Sequence, residues 1–200
     1  MKPTLVTDFK HHPRWLDNLS EGLKSFPDPF RPLIIWVRDK QLQTDELPVA
    51  QLRALASEHA IELRWSLSHH SASASDEWIH VPDDQHLRDK SSAAAKRRIL
   101  SCHCVAAGRR LLEDEATDQI LLSPWAKSIS KASAQGTLDH DEVIQLSRCY
   151  PERVNVISGL TPKDEAALRH LPFASLCFMG SVSLDLGYFL ERLQAYAPKD

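Results

Sequence analysis

Short strand candidates recur along this chain, most of them separated from the next by a stretch with helical spacing. They are Thr4–Thr7, Leu33–Val37, Ile61–Leu67, Trp78–Val81, Ile99–Cys102, Ile120–Leu122, Arg153–Ile157 and Ser175–Met179, of which Leu33–Val37 and Ile120–Leu122 are apolar throughout. Apolar runs of this length without alternation predict strands covered on both faces, which is the habit of parallel sheets. Between them, Trp15, Leu16, Leu19, Leu23 and Phe26 share one helical face, as do Val49, Leu52, Leu55 and Ala56. Val105–Glu115 and His140–Arg148 predict two more helices, and Thr161 as N-cap with Pro162 at N1 starts another. A closing helix places Leu186, Phe189, Leu190 and Leu193 on one side. The third and fourth helices are abbreviated, and His69–Asp76 reads as a polar link.

Eight strand–helix units, spaced roughly 17–35 residues apart, predict a closed (βα)8 TIM barrel: a parallel eight-stranded barrel with outer helices. An open doubly wound sheet ranks second, because no GxGxxG follows the first strand. At 200 residues the chain is at the small end for a barrel and is expected to be one domain, 1–200.

Net charge is −3, and the only basic run, Lys96–Arg97–Arg98, reads as a solvated helix end, so nucleic acid is not an expected partner. No apolar segment approaches the ~20 residues that span a bilayer, and MKPTLVTDFKHH lacks an apolar signal core. A cytoplasmic location is the expectation. Cys102-His103-Cys104 is too tight for a zinc pair, and with Cys149 and Cys177 these cysteines read as buried free thiols.

Barrel sites lie at the carboxyl ends of the strands. Those ends carry Asp8, Arg38 with Lys40, Ser66, Asp83 with Asp84, His103, Ser123 to Lys131, Ser158–Gly159, and Gly180–Ser181. Cations and glycine–hydroxyl turns on one rim suit a phosphate, and the imidazole beside them suits proton transfer near neutral pH. The segment Ala126–Thr137 is long and poor in large apolar groups, as binding segments and lids are.

The order of these motifs resembles the thiamine phosphate synthase/thiazole tautomerase (TenI) family of small barrels, from Leu5 to about Leu190. Leu5–Asp8 (LVTD) is similar to that family's first strand, and Val37-Arg38-Asp39-Lys40 to its L-R-E-K strand end. Ile79-His80-Val81 resembles its V-H-L, and Ser101-Cys102-His103 its S-x-H. Ser123-Pro124 with Ser128-Ile129-Ser130-Lys131 resembles G-P-V-F…T-x-T-K, and Ser158-Gly159-Leu160 resembles G-G-I.

The resemblance implies a phosphorylated thiazole held on backbone at Ser158, Gly159, Met179 and Gly180. It implies Arg38, Lys40, Ser128, Ser130 and Lys131 facing a pyrophosphate in the synthases, and His103 carrying a proton in the tautomerases. His103 and Lys131 are thus the candidate catalytic residues. A homodimer is a further expectation from the resemblance. The synthases carry Asn-Asp where Trp65-Ser66 stands, an aspartate at Gln85, and a glutamine at Trp36; Asp84 could hold Mg²⁺ only with a one-residue shift. A tautomerase-like isomerase using no cofactor therefore ranks first. A synthase using Mg²⁺ ranks second. A non-catalytic relic, its pyrimidine pocket filled by Trp36 and Trp65, ranks third.

Overall fold

A parallel strand buried on both faces needs a partner on each edge as well, and closure into a barrel supplies it. In the computed structural model, residues 2–7, 9–10, 13–24, 33–39, 42–72, 77–83, 97–114, 117–126 and 138–178 are described. The strands are β1 Lys2–Val6, β2 Ile34–Val37, β3 Glu62–Ser66, β4 Trp78–Val81, β5 Arg97–Cys102, β6 Gln119–Leu122, β7 Val154–Ile157 and β8 Ser175–Phe178. They close in sequence order, all parallel, with β8 paired to β1 through Thr4↔Cys177 and Leu5↔Phe178. The eight-unit reading of the chain holds: this is a (βα)8 TIM barrel.

The expected strands lie within one or two residues of the observed ones, with one informative shift. Arg97 and Arg98 do not end a helix; they open β5, because the Arg98 amide donates to Asp118 Oδ2 at 2.7 Å and the Arg97 guanidinium lies 5.6 Å from the Trp78 ring centroid. The closing helix lies outside the described residues.

Side chains alternate between two environments. Those pointing outward (Ile35, Val37, Leu63, Trp65, Ile79, Leu100, Ile120, Val156 and Leu176 among them) join the helices in the larger apolar core. Those pointing inward form a smaller cluster of Val6, Trp36, Ile99, Leu121, Ile157 and Cys177. One residue from each strand surrounds the barrel axis: Thr4, Trp36, Arg64, His80, Ile99, Leu121, Asn155 and Cys177. The interior is a packed core and not a channel.

Much of that interior is polar and bonded to itself. Arg64, 3% exposed, donates to Glu62 Oε1 at 2.8 Å and to Asn155 Oδ1 at 3.1 Å. Asn155 Nδ2 donates to Gln119 Oε1 and to the Ile120 carbonyl, and Ser175 Oγ donates to Asn155 Oδ1 at 2.6 Å. Lys2 Nζ closes the chain onto Glu62 Oε2 at 3.0 Å. This network joins β1, β3, β6, β7 and β8.

The outer layer holds α1 Trp15–Lys24, α2 Val49–Glu58, α3 Val105–Glu113, α4 His140–Cys149 and α5 Pro162–Leu168. Gly108 lets α3 lie close on the sheet: a Cβ there would stand 2.8 Å from Ile120 Cδ1 and 3.3 Å from Cys102 Sγ. The Thr161 cap is observed as a reciprocal capping box with Asp164. Burial resists ionisation of Asp164, but the bonds from the Thr161 hydroxyl and amide outweigh it and hold the carboxyl below its ordinary pKa.

The expected polar link at His69–Asp76 begins instead as 3₁₀ turns over Leu67–Ala72. His69 is 1% exposed, bonded through Nε2 to the Asp39 carbonyl at 2.6 Å and through Nδ1 to Thr44 Oγ1 at 3.2 Å. It ties the ends of β2 and β3 together. No helix among the described residues is long and apolar enough to cross a membrane.

Burial of Glu62 opposes its ionisation, yet the charge and hydrogen bond of Arg64, aided by Lys2, hold its pKa below the ordinary value. The carboxylate therefore stabilises the fold above its unfolded pKa, and this is lost as pH falls through the lower folded pKa. Glu62→Gln is expected to lose about 1–3 kcal/mol at neutral pH. In urea denaturation at a series of pH values, that deficit should shrink as pH drops below the usual carboxylate range.

Candidate active site

The rim at the carboxyl ends is built from short extensions of the barrel ladder. The Thr7 amide donates to the Trp36 carbonyl at 3.0 Å, the Ser123 amide to the Cys102 carbonyl at 3.2 Å, and the Trp125 amide to the Ile157 carbonyl at 3.0 Å. Each bond carries strand order one step past the strand end. The residues there inherit fixed positions although they belong to loops.

His103 is the first residue beyond β5 and is exposed. Its Nδ1 lies 2.8 Å from the Ser123 carbonyl oxygen and 3.1 Å from Ser123 Oγ, across the β5–β6 step. The imidazole is thus anchored on one nitrogen, with Nε2 unbonded among the described residues. A ring held by one nitrogen at the mouth of a barrel can exchange a proton through the other.

Ser158 and Gly159 follow β7 with φ of +74° and +77°. Only glycine takes this region without strain, and at Gly159 space forbids a side chain too: a Cβ would sit 2.6 Å from the Ala126 carbonyl oxygen. The Ala126 amide donates back to the Ser158 carbonyl at 3.1 Å, so the β6 and β7 ends interlock. Among the described residues no acceptor takes the Gly159 or Leu160 amide. Free amides at a tight turn are anion donors.

Arg38 stands above β2. Its amide donates to Thr7 Oγ1 at 3.1 Å, and its guanidinium lies 5.2 Å from the Trp36 ring centroid. Burial lowers its pKa from the ordinary value, which the proximity of Cys177 only partly counters. Trp36, 3% exposed, crosses the His80 ring edge-on at 4.3 Å and floors the mouth under Arg38. Its indole Nε1 and the nearby Ser66 Oγ are buried with no partner among the described residues.

Trp65 does not share that space. It faces the outer core, donating through Nε1 to Glu77 Oε2 at 2.7 Å, with Arg53 over its ring. In β3 the polar Glu62, Arg64 and Ser66 alternate with Leu63 and Trp65, and that alternation puts Trp65 on the outward face beside Leu63.

Of the expected site residues, His103, Arg38, Ser158 and Gly159 are described and lie on the one rim. Lys40, Ser128, Ser130, Lys131, Met179, Gly180 and Asp84 lie outside the described residues. No three His, Cys, Asp or Glu side chains converge as metal ligands among the described residues. The four cysteines are free; Cys102 and Cys177 are buried as expected, but Cys104 and Cys149 are exposed, at the start and the end of outer helices. Burial, then the charges of Asp83 and Cys104, pushes the Cys102 thiol up to about 12, and burial raises that of Cys177; both are neutral at physiological pH.

Two features escaped the sequence. Trp125, 2% exposed, stacks on His140 at 3.8 Å and 5°, and His140 Nε2 donates to the Trp125 carbonyl at 2.8 Å. With the Leu138 amide on the Pro124 carbonyl at 3.5 Å, this ties together the two points flanking residues 127–137. The sequence signal was only a tryptophan beside a proline and a histidine at a helix start.

No family model matches the sequence, and no curated protein matches it closely enough to count. Solved structures do resemble the fold. Thiamine phosphate pyrophosphorylase from Pyrococcus furiosus superposes with a TM-score of 0.70 at 11% identity, over 98% of this chain and 93% of that one. The pyrophosphorylase from Bacteroides thetaiotaomicron gives 0.55 at 16% identity, over 98% and 95%. A 3-hexulose-6-phosphate synthase from Salmonella typhimurium gives 0.62 at 14% identity, over 98% and 96%. At these identities the likeness is one of fold: the chain has the small barrel of a thiamine phosphate pyrophosphorylase, shared with a sugar phosphate synthase.

Proposed function

We propose that this barrel is a thiamine-biosynthesis-type isomerase acting on a phosphorylated thiazole, with His103 as the proton carrier. The observation that carries the reading is the exposed His103 ring at the end of β5, anchored at Nδ1 on Ser123, with Nε2 unbonded among the described residues. Such a site suits a tautomerisation, in which one proton leaves a ligand carbon and one returns to another atom of the same ligand. The Gly159 and Leu160 amides, which no acceptor among the described residues takes, suit the phosphate, and Arg38 adds a buried guanidinium on the same rim. The structural neighbours support a phosphorylated ligand, since the names of all three contain one. Lys40, Ser128, Ser130, Lys131, Met179 and Gly180 complete the phosphate and catalytic set in this reading.

A synthase joining thiazole phosphate to a pyrimidine pyrophosphate is the second reading, favoured by Arg38 and by the two pyrophosphorylase neighbours. It requires Mg²⁺, which takes hard carboxylate oxygens, and Asp84 would have to supply one. At the β3 end the described residue facing inward is Ser66, which offers a hydroxyl and no carboxylate.

Calorimetric titration with thiazole phosphate separates the readings. Binding without metal is expected, and heat only on joint addition of pyrophosphate and Mg²⁺ would instead favour the synthase. With a thiazole carboxylate phosphate as substrate, His103→Gln is expected to lower turnover about 10²–10⁴-fold while phosphate affinity stays within a factor of a few.

Gly159→Ala tests the turn. Forcing a Cβ into positive φ against the Ala126 carbonyl should cost about 1–3 kcal/mol of stability. It should also weaken thiazole phosphate binding. Unchanged affinity in a folded Gly159→Ala protein would remove this turn from the phosphate site.

A further inference from the structure

The contact between His103 and Ser123 specifies more than a location. A carbonyl oxygen can only accept, so at 2.8 Å from the Ser123 carbonyl the Nδ1 atom must carry the proton of the neutral ring. Ser123 Oγ, 3.1 Å from the same nitrogen, is then a second acceptor for that N–H. Nε2 is left with the lone pair. Ser123 is itself held by its amide on the Cys102 carbonyl at 3.2 Å, so the ring's placement is fixed by the β5–β6 ladder.

We propose that Ser123 is a positioning residue for His103: its carbonyl sets the tautomer and its hydroxyl sets the rotation of the ring, making Nε2 the atom that moves the proton. In the cycle, Nε2 takes a proton from the ligand and the ring becomes imidazolium, both Ser123 oxygens still accepting from Nδ1–H. Nε2 then returns a proton to a second ligand atom, which restores the starting tautomer with no net change in protons or electrons. The opposite tautomer would present an N–H to the ligand and no base. The identity of the transferred proton rests on the isomerase reading, whereas the tautomer does not.

Two readouts test the proposal. In ¹⁵N-histidine-labelled protein at about pH 8, where an ordinary imidazole is neutral, long-range ring spectra are assigned by the signals that vanish in His103→Gln. His103 is expected to show a protonated Nδ1 and an unprotonated Nε2, without ligand; a ring protonated on Nε2 overturns the proposal. Ser123→Ala should keep that tautomer, since the backbone carbonyl remains. With the thiazole carboxylate phosphate it should lower kcat about tenfold at unchanged KM, because orientation and not binding is lost. Ser123→Thr, which keeps the hydroxyl, should recover most of it. If Ser123→Ala leaves kcat unchanged while His103→Gln abolishes turnover, the hydroxyl has no positioning role and that half is overturned. If His103→Gln leaves turnover untouched, the isomerase reading falls, and the ring spectrum still decides the tautomer.

Discussion

Arg64 points its guanidinium into the middle of the barrel, and the interior is arranged around that charge. A lone buried cation is costly enough that it must be paired and fully bonded. Glu62 supplies the counter-charge, Asn155 takes a second N–H, and Trp78 lies under the guanidinium at 5.2 Å. Asn155 cannot serve Arg64 unless it is itself fixed, which Gln119, the Ile120 carbonyl and Ser175 accomplish. Replacing such a network by apolar residues is often neutral or stabilising in other proteins. Its value here lies in register: the partners come from β3, β6, β7 and β8, so the bonds are satisfied together in one alignment of the sheet.

A filled interior decides where ligand chemistry can occur. With Trp36 across the axis against His80, the space below the rim is occupied. What remains is the mouth, and there positions are set by ladder bonds that run past the strand ends. His103, Ser123, Ala126 and Ser158–Gly159 form a continuous line of contacts across β5, β6 and β7. Precision at this rim is therefore borrowed from the sheet, and the loops add reach and polar groups.

The barrel was legible because a continuous apolar run such as Leu33–Val37 admits little besides a strand covered twice, and eight strand candidates in a row admit few topologies. The same continuity hid which side chains face inward. Trp36 closes the mouth, whereas Trp65 packs outside against Arg53. Alternation tells the facing only in β3, where Glu62, Arg64 and Ser66 alternate with Leu63 and Trp65; β2 is apolar throughout and gives no sign of which way Trp36 turns. Arg97, Arg98 and His69 were misread for a related reason. Their states depend on Trp78, Asp118, Thr44 and Asp39, partners 19 to 30 positions away that no local pattern announces. His103, Ser158 and Gly159 were legible as rim residues, because a strand end is visible in sequence. The bond from His103 to Ser123 was not, since it depends on β6 lying beside β5 in that register.

The order of the strands also sets the scale of a ligand. Neighbouring strands are ~4.8 Å apart, so His103 after β5 and the Ser158–Gly159 turn after β7 are separated by two steps, about 10 Å along the rim. A molecule held by a phosphate at the β7 turn can present an acidic proton to His103 Nε2 only if its two ends span about that distance or less. A small heterocycle with a phosphate on a short arm meets this, whereas inorganic phosphate does not reach. On the proposed reading, Trp36 would limit the molecule from below and Arg38 would attract its charge from the β2 side. Three fixed points, an imidazole, an amide turn and a guanidinium, thus constrain length, depth and charge together. That joint constraint is a stronger guide to the substrate class than any one of the residues alone.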